Sequence, residues 1–123
     1  MENAIARPDP GMVLAKATVR ASQFLGMNGA ILASTLGLSA PTVSRILHEN
    51  KAIAPASKEG ELAMLLIRVY RSLDALVGTD PAKRQLWMTG FNKGLGGVPL
   101  QLIQRVEGLV ATLNYLDGMR APS

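Results

Sequence analysis

The amino-acid composition and the spacing of apolar residues predict an all-α protein. Only 4% of the 123 residues are aromatic although 48% are hydrophobic, so the core must be built from Leu, Ile, Val, Met and Ala, which favour packed helices. No run alternates polar and apolar residues as a half-buried strand does. The chain suits one compact domain or two very small ones and is too short for most large enzyme folds.

The front half predicts a short arm and three helices. Residues 1–11 hold two prolines and a glycine close together, which predicts a flexible arm. Helices are expected over residues 12–25, 29–36 and 40–48, the last with Ser39 as its N-cap and a proline in its first turn. Residues 49–58 form a connector, which divides the chain into a domain over residues 12–56 and a second over residues 57–123.

The back half predicts four more helices. The longest pattern covers residues 59–77, and its apolar stripe has more residues than one neighbouring helix covers, so it is a candidate for dimer contacts. Shorter helices are expected over residues 81–88, 99–104 and 107–119. Between them, residues 89–97 hold four glycines and one asparagine, so we expect an irregular loop there.

The segment from residue 29 to residue 48 has the features of a helix-turn-helix. Gly37 lies where the chain must turn sharply between two short helices, and Ala33 is small at the expected crossing point. The two helices are held together by apolar residues, namely Leu32, Leu36, Leu38, Val43, Ile46 and Leu47. An αα-hairpin inside a helical bundle is the alternative interpretation of the same pattern.

The outer face of the second helix is polar and is the candidate DNA-binding surface. Thr42 and Arg45 could reach base edges in a major groove, while Ser39 and the helix N-terminus could hold a phosphate. The full set of expected DNA contacts is Ser39, Ala40, Thr42, Ser44, Arg45, His48 and Lys51. The promoter site is expected to be an inverted repeat read by a homodimer, because one such domain gives a weak interface.

Charge is unevenly distributed along the chain. The net charge is +4, and residues 10–58 carry five Lys or Arg against one Glu, whereas residues 59–123 carry seven basic and six acidic residues. The basic surplus in the front half suits an anionic partner there. Lys16, Arg20, Lys51 and Lys58 are the expected contacts to a nucleic-acid backbone.

Several functional classes are excluded or disfavoured. The chain has no cysteine, which excludes disulfides, thiolate zinc sites and Cys nucleophiles and indicates a reducing compartment. The acidic residues and the single His48 form neither a catalytic constellation nor a metal-ligand pattern, so we expect no enzyme activity, no metal and no cofactor. No apolar run approaches the roughly 20 residues that span a bilayer, so we expect a cytoplasmic protein without a membrane partner.

The back half carries a more specific motif. A helix that ends near a tryptophan is followed by an asparagine-containing loop, Leu-Gly-Gly, Pro-Leu-x-Leu and then Glu-Gly before a last helix. The motif residues are Trp87, Asn92, Leu95, Gly96, Gly97, Pro99, Leu100, Leu102, Glu107 and Gly108. From the residues alone, Trp87 anchors the loop on the core, Gly96 and Gly97 allow close backbone approach, and Pro99 begins the next helix.

This motif resembles the toxin-binding domain of the Xre/MbcA/ParS antitoxin family, whose members place an Xre-like helix-turn-helix before it. The resemblance implies a bacterial antitoxin whose cognate toxin carries a RES domain and destroys NAD. It implies that the C-terminal end covers the toxin's active-site entrance, in a heterocomplex of 2:2 or larger. The expected toxin contacts are Tyr115, Asp117, Met119, Arg120 and Ser123.

Two other functions remain open at this point. The protein could be a dimeric helix-turn-helix repressor without a toxin partner, whose back half only dimerises. It could also be an antitoxin that lacks DNA binding and uses its front half for oligomerisation. An adjacent gene for a small RES-type protein, together with gel shifts on the upstream DNA, separates these possibilities.

Overall fold

The computed structural model describes residues 7–48 and 51–120, and these form seven helices without a β-strand. The all-α prediction is therefore confirmed. The helices are α1 (Pro10–Phe24), α2 (Gly29–Leu36), α3 (Ala40–His48), α4 (Lys58–Val77), α5 (Pro81–Thr89), α6 (Pro99–Leu102) and α7 (Val106–Arg120).

The helix-turn-helix of α2 and α3 forms as predicted. Asn28 caps α2 by accepting the Ile31 N–H at 2.8 Å, and Gly37 ends it with a φ of 69°, a conformation that a residue with a Cβ rarely adopts. The axes of α2 and α3 are bent by 114° relative to each other, within the range of DNA-binding helix-turn-helix units. Ala33 is buried at this corner.

Helix α1 begins earlier than the sequence predicted. The Asp9 carboxylate accepts the Gly11 N–H at 3.1 Å, and Pro10 occupies the first turn, where its missing N–H costs nothing. Gly11 is buried, and its carbonyl accepts the Ile53 N–H at 3.0 Å. Residues 10 and 11, which we expected in the arm, thus belong to α1, and Gly11 is part of the packed structure.

Helix α4 is the centre of the fold. Ser57 caps it by accepting the Gly60 N–H at 3.0 Å, and its apolar residues pack against α1 on one side and α7 on another, with further contacts to α2 and α5. Leu66, Val69 and Leu73 are fully buried. The broad apolar stripe that suggested dimer contacts is accounted for by helices of the same chain.

Within residues 7–48 and 51–120, no single helix has the length and apolar composition needed to cross a membrane. Only α2 and α3 taken together pass that test, as a strongly bent pair.

Candidate functional sites

The outer face of α3 is the first candidate site. Val43 and Ile46 are buried against the neighbouring helices, which fixes the rotation of α3 about its own axis. Ala40, Ser44, Arg45 and His48 are consequently exposed, together with Ser39 before the helix, and Thr42 is half-buried. Lys51 is exposed in the connector. The structure thus places all seven expected DNA contacts at the surface.

The start of α3 is organised by two hydroxyl groups. The Ser39 Oγ accepts the Thr42 N–H at 3.3 Å and lies 2.9 Å from the Thr42 Oγ1. Ser39 therefore caps the helix, as predicted, and shares its hydroxyl with Thr42. This contact orients the Thr42 side chain at the end of α3 that a recognition helix inserts first into a major groove.

Basic side chains flank the helix-turn-helix. Lys16 and Arg20 are exposed one turn apart on α1 and line two neighbouring grooves, one with Ile46 and Leu47 of α3 and the other with Arg71 of α4. Neither groove has a carboxylate in its lining among the described residues. Of the basic residues in the predicted surplus, Lys16 and Arg20 thus lie together, and Arg71 of the back half adds a third positive charge beside them.

The loop between α5 and α6 is folded around Asn92. Its backbone N–H donates to the Gly97 carbonyl at 2.8 Å, and its own carbonyl accepts the Gly96 N–H at 2.8 Å. Its side-chain Oδ1 accepts the Leu95 N–H at 2.9 Å. Gly96 has a φ of 73°, which explains the glycine there. The Asn92 side chain is therefore used inside the loop.

Glycines also allow α7 and α6 to approach this loop. A Cβ on Gly94 would collide with the Tyr115 ring, and one on Gly97 would lie 3.1 Å from the Leu102 side chain. Tyr115, expected to contact a toxin, is thus half-buried and packs on the loop, with its ring 6.5 Å from that of Trp87. The contact between Gly94 and Tyr115 was not foreseen from the sequence.

Trp87 is only partly a core residue. It packs against the core but also lines an open groove of about 580 Å³. The other lining residues belong to the end of α4, to α5 and to the loop: Leu76, Val77, Lys83, Leu86, Gly90, Phe91 and Asn92.

The end of α7 is tied to α4 by a polar network. The Ser72 Oγ donates to the Asp117 Oδ1 at 2.7 Å and accepts from the Arg120 Nη1 at 2.9 Å, while Arg68 lies 3.6 Å from the other oxygen of Asp117. Asp117 and Arg120, two of the expected toxin contacts, thus already have partners on α4. Met119 is exposed, and Ser123 lies outside the described residues.

A second polar cluster, unforeseen from the sequence, joins the two halves. Arg84 of α5 is only 5% exposed and donates to the Phe24 carbonyl at 3.4 Å and to Asp74 at 3.3 Å. Its guanidinium lies 4.9 Å from the centre of the Phe24 ring, which stacks on Tyr70. Among the described residues, no three His, Asp or Glu side chains are close enough to hold a metal ion.

The fold thus defines a two-part helical protein, in which a helix-turn-helix with an exposed polar helix is followed by a helical unit built around a glycine loop. The family model of the antitoxin Xre-like helix-turn-helix domain matches residues 4–68, and that of the antitoxin Xre/MbcA/ParS C-terminal toxin-binding domain matches residues 72–121. The chain therefore belongs to the Xre-like antitoxins, which confirms the resemblance. It matches no curated protein.

Proposed function

We propose that the protein neutralises a RES-domain toxin that degrades NAD, and that it represses its own operon by binding promoter DNA through α3. The observation that carries the proposal is that one short chain matches both an antitoxin helix-turn-helix and a toxin-binding domain. Within this proposal the chain acts by binding in the bacterial cytoplasm and not by catalysis. The DNA-bound form is a homodimer on an inverted repeat.

The exposed face of α3 supports DNA binding. Arg45 is exposed next to Ser44 and one turn after Thr42, so α3 can lie in a major groove with these side chains towards the bases. Lys16, Arg20 and Lys51 then contact phosphates, which contribute affinity without sequence preference.

Arg45→Ala tests the recognition role of α3. A guanidinium that donates two hydrogen bonds to a guanine contributes about 1–3 kcal/mol of discrimination, so affinity for the upstream operator should fall about 5- to 150-fold, with a much smaller loss on random DNA. Fluorescence anisotropy with both duplexes at one fixed salt concentration measures this ratio. Arg105→Ala removes an equal charge from an exposed position between α6 and α7 and serves as the control. Equal losses on both duplexes would exclude base recognition by Arg45.

The C-terminal end supports toxin inhibition. A pocket that accepts the pyrophosphate of NAD is expected to be cationic, and a carboxylate such as Asp117 or the chain terminus can occupy it in place of a phosphate. To reach a toxin, Asp117 would exchange its contacts with Ser72 and Arg68 for toxin contacts.

Removal of residues 118–123 tests this role. Cells that co-express the truncated chain and the product of the adjacent gene should lose NAD and stop growing, whereas the full-length chain protects them. Binding of the truncated chain to the promoter, measured by gel shift, should be unchanged. Continued protection by the truncated chain would contradict the proposed plug, and failure of the full-length chain to co-purify with that gene product would contradict the proposed function.

A further inference from the structure

We infer that the groove lined by Trp87, Leu86 and Phe91 is a second toxin-docking surface, which receives an apolar segment of the toxin that carries a carboxylate facing Lys83. The inference rests on the proposed antitoxin function and adds to it a surface separate from the C-terminal end. We refer to this surface as the α5 groove; its lining residues are those given above.

The α5 groove exposes large apolar side chains that none of residues 7–48 and 51–120 covers. Leu86 is 73% exposed and Phe91 is 69% exposed, and they flank Trp87, which is buried on one side and open on the other. Single exposed apolar residues are common, but a contiguous set around a concave surface marks a binding site. Aromatic side chains and a half-buried tryptophan are also the residues that dominate interface energies.

Its position indicates which partner fits. Every lining residue falls within the segment, residues 72–121, that matches the toxin-binding domain. The Trp87 ring lies 6.5 Å from that of Tyr115 on α7, and the exposed Met119 lies one turn further along the same face of α7. A toxin segment that contacts Met119 on this face would therefore lie next to the α5 groove.

The surface area that a protein–protein interface requires also favours a role for the α5 groove. A specific interface buries about 800 Å² on each partner, and the described end of α7 offers mainly Met119 beside two side chains that already contact α4. These few side chains offer little free surface for an interface of that size. The α5 groove, whose Trp87 lies beside Tyr115 of α7, offers further apolar surface.

Charge defines the partner further. Among the described residues, Lys83 is the one charged side chain that lines the α5 groove, and it is exposed three residues before Leu86 on the same face of α5. A carboxylate next to an apolar segment of the toxin would meet the ammonium group while the segment covers Leu86 and Phe91. The backbone stays in place, because α5 is held from its opposite side by Arg84.

The double variant Leu86→Ser/Phe91→Ser tests the inference by calorimetric titration of full-length chain with the purified product of the adjacent gene. Loss of two central anchors should weaken binding at least 30-fold. The control is Val13→Ser/Met64→Ser, which removes two apolar side chains, each 52% exposed, from a different groove between α1 and α4 that shares no lining residue with the α5 groove, and should change affinity less than threefold. Unchanged circular dichroism melting establishes that both variants fold.

A charge reversal tests the predicted carboxylate. Lys83→Glu should weaken binding about tenfold at low salt and less at high salt, since screening reduces the contribution of an exposed pair. The control is Arg7→Glu, which reverses the charge of an exposed residue before α1, outside the segment that matches the toxin-binding domain, and should leave affinity unchanged.

The outcomes separate the two proposals. A wild-type chain that binds no product of the adjacent gene overturns the antitoxin function and this inference with it. Wild-type binding that the Leu86→Ser/Phe91→Ser variant retains overturns the α5 groove alone. The groove is likewise overturned as a toxin site if that variant only lowers the sedimentation mass of the free chain, because a second copy would then be the occupant.

Discussion

At the scale of single residues, glycine sets how closely helices can approach. Gly108, in the first turn of α7, faces the backbone of α6 so closely that a Cβ would overlap the Leu102 carbonyl. A backbone group cannot rotate away as a flexible side chain can, so one methyl group must displace α6 or α7. Gly118, at the other end of α7, has open space where its Cβ would be.

Gly108→Ala and Gly118→Ala therefore form a matched pair. The first should lower the free energy of unfolding by about 1–3 kcal/mol, as overpacking does, despite the better helix propensity of alanine. The second should raise it by up to about 1 kcal/mol through that propensity. Urea denaturation followed by circular dichroism measures both. Stabilisation by Gly108→Ala would show that α6 and α7 are not packed this tightly.

The sequence predicted some residue roles and not others. Gly37 was assigned to the turn between two helices and has a positive φ of 69°, because a helical pattern followed by glycine is a local signal. Arg84 acts through the Phe24 carbonyl, 60 residues earlier in the sequence, and no local pattern reveals such a contact. Gly108 was found as a motif residue, but its close approach to the α6 backbone was not predicted. From its sequence context, Arg84 would be expected to be an exposed side chain on a polar helix, but it is buried.

At the scale of elements, α5 shows how a helix of low apolar content is held. Its nine residues are too few for stability in isolation, and only Arg84 and Met88 are buried. Arg84 therefore anchors α5 through hydrogen bonds to Phe24 and Asp74 and through contact with the Phe24 ring. The α5 groove depends on this anchor, since Leu86 and Trp87 extend from the same helix.

Arg84→Ala should lower the free energy of unfolding by about 2–4 kcal/mol, because it removes hydrogen bonds of a charged group and leaves polar atoms buried. Arg84→Lys should restore only part of the lost stability. A lysine ammonium group lacks the planar guanidinium that can stack on an aromatic ring and donate two hydrogen bonds at once. Lys83→Ala, next to it but exposed, should change stability by less than about 0.5 kcal/mol. Thermal and urea unfolding of the three variants checks the order. Full rescue by lysine would mean that charge alone holds α5.

Helix positions were predictable to within a few residues because their caps are local. Asp9, Asn28, Ser57 and Asp80 all accept a backbone N–H at the start of a helix. The path of the 89–97 loop was not predictable, since it depends on three hydrogen bonds to the Asn92 backbone and one to its side chain. The α5 groove was also missed, because it is formed jointly by α4, α5 and that loop.

At the scale of the whole molecule, α4 connects the two functional halves. Leu62, Leu66 and Val69 are buried in its middle, and the helix packs on α1 of the front half and on α7 of the back half. The antitoxin helix-turn-helix match likewise extends to residue 68, well into α4. A fragment of residues 1–56 would leave the face of α1 towards α4 uncovered, so we expect the two halves to fold as one cooperative unit.

Leu32→Ala tests this cooperativity. Leu32 lies in α2 and is 1% exposed, so its truncation should lower the free energy of unfolding by about 2–5 kcal/mol. Because Trp87 is the single tryptophan and lies in the back half, its fluorescence reports the other end of the molecule. The urea midpoint from Trp87 fluorescence should fall together with the midpoint from circular dichroism, since neither half unfolds alone. If the urea midpoint from Trp87 fluorescence stays unchanged while circular dichroism shows helix loss at lower urea, the two halves unfold independently. In that case α4 unfolds together with the toxin-binding half.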